Sequence, residues 1–229
     1  AILGGIGSAA GLGLGLALVV LAIPAGLSAR EAGRRVRAID PEGEYDFTHI
    51  YSAAGAAEAT GAPASGDGGA AARVGLIDGG VDTRHPALRN VRIEQRGFAP
   101  GGVQPRAHGL AVASLLAGSQ GRFQGSAPGA SLYVADVYGS TPAGGSAAAL
   151  AAALGWMAQS KVGVINVSLV GPPNLTLQAA VRAMVARGHL IVAAVGNDGP
   201  AAPPLYPAAY PGVIAVTAVD SRRRRLPEA

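Results

Sequence analysis

Short apolar runs alternate with helical patterns over most of the chain, from Arg73 onward. Apolar runs bounded by glycine, proline and polar residues are typical of the buried strands of a parallel sheet. Two stretches between the runs instead space large apolar residues three and four positions apart, as amphipathic helices do. The runs predict strands at residues 74–77, 132–137, 164–169, 190–194 and 213–218.

The two helical stretches lie between predicted strands. The first helix is expected to begin near Ser146, and its apolar face carries Leu150, Leu154 and Met157. The second is expected to end at Gly188, and its apolar face carries Leu177, Val181, Met184 and Val185. Strands that alternate with helices imply a parallel sheet with right-handed crossovers. The pattern therefore predicts an α/β fold for residues 73–229.

The first 23 residues allow two interpretations. They are apolar enough for a membrane span or the core of a signal peptide, but six of them are glycines and no basic residue precedes the run. The alternative is a buried strand over residues 16–23, followed by a turn and a helix that begins at Ser28 and ends before Pro41. Ser28 and Glu31 have the spacing of a capping box. The sequence leaves both interpretations open.

Residues 53–72 are built from alanine, glycine, serine and proline with almost no large apolar side chain. Such a segment buries too little surface to offset the entropy lost on ordering, which predicts a flexible linker. The chain then divides into a leading segment (residues 1–52), the linker and a main domain (residues 73–229).

Composition excludes several classes of function. The chain has 229 residues and no cysteine, so disulfides and thiolate metal sites are absent. Its net charge of +4 equals the charge of the four arginines at positions 222–225, and we expect no nucleic-acid partner. The glycines at 11, 13 and 15 suggest a nucleotide-binding loop, but their spacing differs from G-x-G-x-x-G.

Three polar residues stand where chemistry is expected in such a sheet. Asp78 and Asn197 each follow an apolar run, and ligands collect at the carboxyl edge of parallel strands. His108 opens a stretch of small and apolar residues, HGLAVASLLAG, that suits a helix packed closely on a sheet. Each residue taken alone has a simpler explanation: a turn cap for Asp78, a surface histidine for His108 and a turn for Asn197.

Taken together and in this order, these segments resemble the subtilisin-like serine peptidases. The stretches that carry the resemblance are VGLIDGGVDTRHPAL, HGLAVASLLAG, GSAPGASLYVADV, INVSLVGP, VAAVGNDGP and YPAAYPGVIAVTAVD. The resemblance implies a three-layer subtilisin-like domain in which Asp78 orients the catalytic His108 and Asn197 donates to the oxyanion. It also implies that Ser168, Leu169, Val170 and Gly171 bind the main chain of a protein or peptide substrate.

The leading segment resembles the end of a propeptide as found in these enzymes. Such propeptides are small α+β folds that assist folding and occupy the active-site cleft until they are cut away. The resemblance also implies secretion or a place in the cell envelope, and we expect a monomer. No carboxylate cluster has convincing spacing for calcium, which is common in the family, so no metal or other cofactor is predicted.

The nucleophilic serine of the family stands in a G-T-S-x-[AS]-x-P motif that this sequence lacks. We assign the nucleophile to none of the three candidate serines: Ser126 lacks the preceding threonine, Ser114 lies inside the predicted helix of His108, and Ser168 lies on the strand expected to bind substrate. The expectation is a fragment of a serine endopeptidase, with its serine beyond Ala229, that is inactive by itself. The alternative is a non-catalytic pseudopeptidase that binds peptides.

Overall fold

The structure is a computed structural model that describes residues 6–54, 72–142, 144–220 and 222–227. The helices in these ranges are α1 (Ala29–Ile39), α2 (Ala107–Ala117), α3 (Ala147–Gln159) and α4 (Leu175–Ala186), with a single 3-10 turn at Pro86–Leu88. The strands are β1 (Ile6–Gly11), β2 (Ala17–Leu21), β3 (Ile50–Ala53), β4 (Arg73–Asp78), β5 (Arg92–Gly97), β6 (Ser119–Gln120), β7 (Phe123–Gln124), β8 (Ser131–Asp136), β9 (Gly145–Ser146), β10 (Val164–Val167), β11 (Leu169–Val170), β12 (Leu190–Ala194) and β13 (Ile214–Val216).

A six-stranded parallel sheet forms the centre of the main domain, in the order β13-β12-β10-β4-β8-β5. Both faces of this sheet are covered. The neighbours Leu76 and Ile77 of β4 belong to separate core clusters, because successive side chains of a strand point to opposite faces. Leu76 shares its cluster with α2, whereas Ile77 shares its cluster with α3 and α4. The predicted three-layer α/β fold is confirmed.

The apolar runs located most of the central strands to within two residues of their ends. The run predicted at 164–169 divides at Ser168 into β10, which belongs to the central sheet, and β11, which belongs to a separate three-stranded sheet. The edge strand β5 has no counterpart among the predictions. Its sequence, RIEQRG, alternates exposed and half-buried residues and contains no apolar run.

The strand predicted within residues 16–23 is present as β2, but it belongs to a hairpin and is not buried. Strands β1 and β2 pair antiparallel, and the residues of β2 are exposed or only half-buried, so the expected burial of residues 16–23 is wrong. The buried residues are Leu12 and Leu14 in the connection between the strands. Gly155 of α3 packs against the Leu12 main chain, where a Cβ would collide. Within the described residues, no helix is long and apolar enough to cross a membrane.

Helix α1 follows the predicted capping pattern in part. Its N-cap Ser28 accepts a hydrogen bond from the main-chain N–H of Glu31, and the helix ends at Ile39, ahead of Pro41. The Glu31 carboxylate does not reach back to the cap and binds Arg34 and Arg35 instead.

The predicted linker at residues 53–72 lies largely outside the described residues. Its first residue, Ala53, is the last residue of β3, and Ala54 donates its main-chain N–H to the Ser168 carbonyl at 2.9 Å. Small side chains do not prevent strand pairing, since only main-chain groups form these bonds.

Candidate active site

Asp78 is the last residue of β4, a central strand of the main sheet, and only 1% of it is exposed. One carboxylate oxygen accepts the main-chain N–H of Gly79 at 2.6 Å. The other lies 2.7 Å from Nδ1 of His108. A carboxylate this deeply buried needs such partners, because burial without them is costly. The strand end therefore holds Asp78 in one orientation toward the histidine.

The two glycines after Asp78 let the chain pass close to the start of α2. A Cβ at Gly79 would lie 2.7 Å from the side chain of Arg106, and a Cβ at Gly80 would lie 2.9 Å from the Gln104 carbonyl oxygen. Gly109, which follows His108, would place a Cβ 2.5 Å from the carbonyl oxygen of Gly79. All three contacts require the absence of a side chain. The glycines thus bring the strand end and the histidine together.

His108 is the second residue of α2, and 21% of its side chain is exposed. The hydrogen bond with Asp78 raises the pKa of His108 above its ordinary value, and the negative charge of that carboxylate acts in the same direction. Partial burial opposes the rise, while a hydrogen bond with the Ala54 main chain adds to it. These contacts stabilise the protonated imidazole relative to the neutral one.

A cleft beside this pair holds residues of the leading segment. Strand β3 lies between β11 and β9 and pairs antiparallel with both. Ala53 and Ser52 face the main chain of β11, whereas Tyr51 and Ile50 face β9. Main-chain pairing on both sides is how an extended peptide is held by strand addition. The chain thus places its own residues 50–54 across the cleft, with Ala54 at His108.

The four residues expected to bind substrate contact the segment in the cleft in different ways. Leu169 and Val170 pair with β3, and the Ser168 carbonyl accepts the N–H of Ala54. Gly171 differs, because its main-chain groups pair with Tyr206 instead. Gly171 can lie against the cleft only because it has no side chain. A Cβ at this position would lie 2.6 Å from the ring of Tyr51.

Asn197 follows β12 at the same edge of the sheet as Asp78 and is exposed. Strand β10 lies between β12 and β4. In the described part of the chain, the Asn197 side chain forms no hydrogen bond with the Asp78–His108 pair or with any other group. The structure therefore brings Asp78 and His108 into contact and leaves the Asn197 amide without a protein partner.

The sequence interpretation missed Arg106 and Tyr138, which line the cleft, and the buried Asp136, which binds the main chain of Tyr138. Asp136 ends β8 as Asp78 ends β4, is fully buried, and accepts main-chain N–H groups from Gln104, Tyr138 and Gly139. Because Asp136 directly follows an apolar run, the sequence could have placed it at the same edge of the sheet as Asp78. Arg106 donates to the carbonyls of Gly139 and Thr141 and lies over the ring of Tyr138. These bonds fix the loop that leads to β9.

Comparison with known proteins identifies the family to which the chain belongs. The model of the subtilase family, peptidase S8, matches residues 69–227. The chain belongs to the subtilase family. It is 36% identical to subtilisin E of Bacillus subtilis over 167 residues, which cover 69% of this chain and 43% of that protein. It is 37% identical to subtilisin Savinase of Lederbergia lenta over 163 residues, which cover 69% of this chain and 59% of that protein.

A similar solved structure also supports the assignment of this chain to the subtilase family. The prenylagaramide maturation protease PagA is 27% identical, with a TM-score of 0.62 and coverage of 71% of this chain and 58% of that chain. The chain spans less than half the length of subtilisin E. Among the described residues, no three His, Cys, Asp or Glu side chains are grouped so that they could hold a metal ion.

Proposed function

We propose that this chain belongs to a serine endopeptidase that hydrolyses peptide bonds with an Asp/His/Ser triad. Asp78 and His108 supply two members of the triad, and the serine lies in residues that follow Ala229 in a longer protein. The observation that carries the proposal is the 2.7 Å contact between Asp78 and His108 beside a cleft that holds an extended segment. Proteins or peptides bound in an extended conformation would be the substrates.

His108 acts as the general base in this proposal. Its Nδ1–H donates to Asp78, which fixes the tautomer and leaves Nε2 to accept the proton of the serine hydroxyl. The imidazolium formed in that step faces a buried carboxylate, and the same hydrogen bond raises the pKa of His108. Asp78 therefore stabilises the charge that develops as the serine attacks the carbonyl carbon. The imidazolium then returns its proton to the leaving amine.

Asn197 supplies a donor for the oxyanion. Its exposed amide has no protein partner among the described residues, so it is available to a substrate oxygen. A preorganised donor at the position where negative charge develops is worth on the order of 10² to 10³ in turnover.

The leading segment is proposed to be a propeptide whose end occupies the cleft. Ala54 lies where a reacting residue would be expected, because its main chain contacts His108 and its N–H pairs with Ser168. We therefore place the end of the propeptide at Ala54, two residues beyond the boundary expected from composition. The enzyme would cut the bond after Ala54, and residues 50–54 would then remain in the cleft as a product until they dissociate.

The test uses the longer protein encoded beyond Ala229. A fluorophosphonate probe, which reacts with activated serines, should label the wild-type protein, and sequencing should find a new amino terminus at Gly55. The His108→Ala variant should show neither label nor new terminus. Labelling that persists in this variant, or a wild-type protein without label and without cleavage of casein, would contradict the proposal.

A peptide-binding module without catalysis is the second candidate. It is favoured by the fact that β9, β11 and the paired segment β3 all lie within this chain, so peptide binding needs no serine. In that case the peptide Ile-Tyr-Ser-Ala-Ala should bind equally well to wild-type protein and to the Asp78→Asn variant. The longer protein would also show no label with the serine probe.

We also propose that the protein is secreted or located in the cell envelope, and its membership of the subtilases supports this location. We further propose that it is a monomer. Fractionation of the producing cells tests the first, and sedimentation of the purified longer protein tests the second. Recovery of the protein in the cytoplasmic fraction alone would contradict the location.

A further inference from the structure

The Tyr51 side chain is enclosed far more completely than the residues directly before and after it in the segment in the cleft. Tyr51 is fully buried, whereas Ser52 and Ala53 are exposed and Ile50 is 47% exposed. A strand that merely crossed the surface would leave its aromatic residue partly accessible. The cleft therefore contains a closed pocket for the residue three positions before Ala54.

The wall of this pocket is shaped for an aromatic ring. Gly171 lies against the ring, and a Cβ at this position would come within 2.6 to 2.9 Å of three ring carbons. On the other side of the strand, Gly144 approaches the main chain of Tyr51 so closely that it too has no room for a Cβ. Any larger residue at 171 would compete with the ring for the same volume.

The end of the pocket is polar and matches a phenol. The Tyr51 hydroxyl donates to the main-chain carbonyl of Pro172 at 2.7 Å, and the Tyr210 hydroxyl lies beside it. No other hydrogen bond to the Pro172 carbonyl is formed by the described residues. The Tyr210 hydroxyl is already bonded to the main chain of Asn174 in both directions. The Pro172 carbonyl therefore depends on the occupant of the pocket for its partner.

The Pro172 carbonyl makes this pocket selective for a side chain that can donate a hydrogen bond. A phenylalanine would fill the same volume but leave a buried acceptor without a donor, and such a loss is costly. A site built to bond a hydroxyl discriminates against the analogue that lacks it much more strongly than a purely apolar pocket does. Burial also raises the pKa of Tyr51, which keeps its hydroxyl protonated and able to donate.

We propose that the enzyme selects substrates with tyrosine three residues before the cleaved bond, through Gly171 and the Pro172 carbonyl. The proposal rests on the proposed proteolytic function, because it takes residues 50–54 as the copy of a bound substrate. It names a substrate class, Tyr-Xaa-Xaa-Xaa followed by the cut, and the residues that specify it. An apolar pocket that accepts any large side chain is the rival outcome.

The test compares four peptides, Ile-Xaa-Ser-Ala-Ala-aminomethylcoumarin, in which Xaa is tyrosine, phenylalanine, leucine or alanine. The longer protein is used after it has released its leading segment. We expect kcat/KM for the tyrosine peptide to exceed that of the phenylalanine peptide by about ten-fold or more, with alanine lowest. Equal values for tyrosine and phenylalanine, or a preference for phenylalanine or leucine, would overturn the proposal.

Two enzyme variants provide a matched comparison. Gly171→Ala should lower the ratio of kcat/KM for the tyrosine peptide to that for the alanine peptide at least ten-fold, because its Cβ takes the volume of the ring. Gly163→Ala makes the same chemical change where a Cβ would meet no atom within 4 Å, and it should leave the ratio unchanged. An unchanged ratio in Gly171→Ala would contradict the assigned wall.

Binding of the products separates this proposal from the proteolytic one. Calorimetry with Ile-Tyr-Ser-Ala-Ala and Ile-Phe-Ser-Ala-Ala requires no cleavage. Tighter binding of the tyrosine product together with no cleavage of any peptide would refute the proteolytic function and support the pocket. Cleavage of all four peptides at one rate, with equal binding of both products, would refute the pocket and leave the proteolytic function standing.

Discussion

Replacing Asp78 by asparagine tests the proposed catalytic role of the Asp78–His108 pair. The substitution keeps the shape of the side chain, and its carbonyl oxygen can still accept the N–H of Gly79. Its amide group, however, would face Nδ1 of His108 in place of the carboxylate oxygen that now lies at 2.7 Å. The imidazole proton would then move to Nε2, the nitrogen that has to accept the proton of the serine.

The size of the effect follows from that change of tautomer. A general base whose accepting nitrogen carries a proton cannot act, and the carboxylate that stabilises the imidazolium is lost as well. We expect kcat of the longer protein to fall by about 10⁴-fold, which corresponds to about 5.5 kcal/mol of transition-state stabilisation. The fall in kcat/KM should be similar, since the main-chain contacts of the cleft are untouched.

The pH profile gives an independent measure of the same interaction. His108 must be neutral to accept a proton, so activity declines as the pH falls through its pKa. Because Asp78 raises the pKa of His108, the acidic limb of the wild-type profile should lie above the ordinary value of about 6.5. In the Asp78→Asn variant, the pKa of His108 followed by NMR should fall below the wild-type value.

Asp82→Asn is the matched control for this substitution. Asp82 lies four residues away, its side chain is 40% exposed, and its side chain partners are groups of Arg84 alone. Its loss should leave kcat and the pH profile unchanged. A loss of less than ten-fold in Asp78→Asn, or an unchanged His108 pKa in that variant, would refute the reasoning.

Three further outcomes are expected. Asn197→Ala should lower kcat by about 10² to 10³-fold with little change in KM, and a change confined to KM would contradict its role at the oxyanion. The 229-residue chain alone should cleave peptides about 10⁶-fold more slowly than the longer protein, so measurable turnover by the purified chain would contradict the assignment of the serine. Folding raises the pKa of His108, so its pairing stabilises the native state below the ordinary pKa and is lost as the pH rises through the folded value. The difference in Tm between wild type and Asp78→Asn should accordingly be larger at about pH 5 than at about pH 9, and the opposite trend would contradict the direction of the shift.

The central part of the fold follows from local sequence, because the buried strands of a parallel sheet are apolar on both faces and stand out as continuous runs. The same property located Asp78, since a carboxylate directly after such a run marks the edge of the sheet. Strand β5 escaped detection because an edge strand with one solvated face carries charged residues such as Arg92 and Glu94. Its pairing depends on β8, which lies some 40 residues further along the chain.

The walls of the cleft could be predicted only in part, since they depend on pairing between distant residues. Nothing near Tyr51 in the sequence indicates that its hydroxyl meets the carbonyl of Pro172, 121 residues away. The small residues after it suggested a linker, yet Ala53 and Ala54 pair through main-chain groups that composition does not reveal. Gly171 was expected to bind the substrate main chain, but its contact with the ring of Tyr51 could not be foreseen, because that ring comes from another segment.

The position of the Asp78–His108 pair is determined by parts of the fold that do not include a nucleophile. Asp78 is fixed by β4 and by the N–H of Gly79, while His108 is fixed by the contact of Gly109 with the turn after β4. The cleft is formed by β9 and β11, whose pairing with β3 also needs no serine. In the proposed mechanism, a base held in one tautomer and a substrate held in one register would need little reorganisation before proton transfer from the serine. Because the cleft forms without a nucleophile, the proposed binding of peptides can be tested separately from their proposed cleavage.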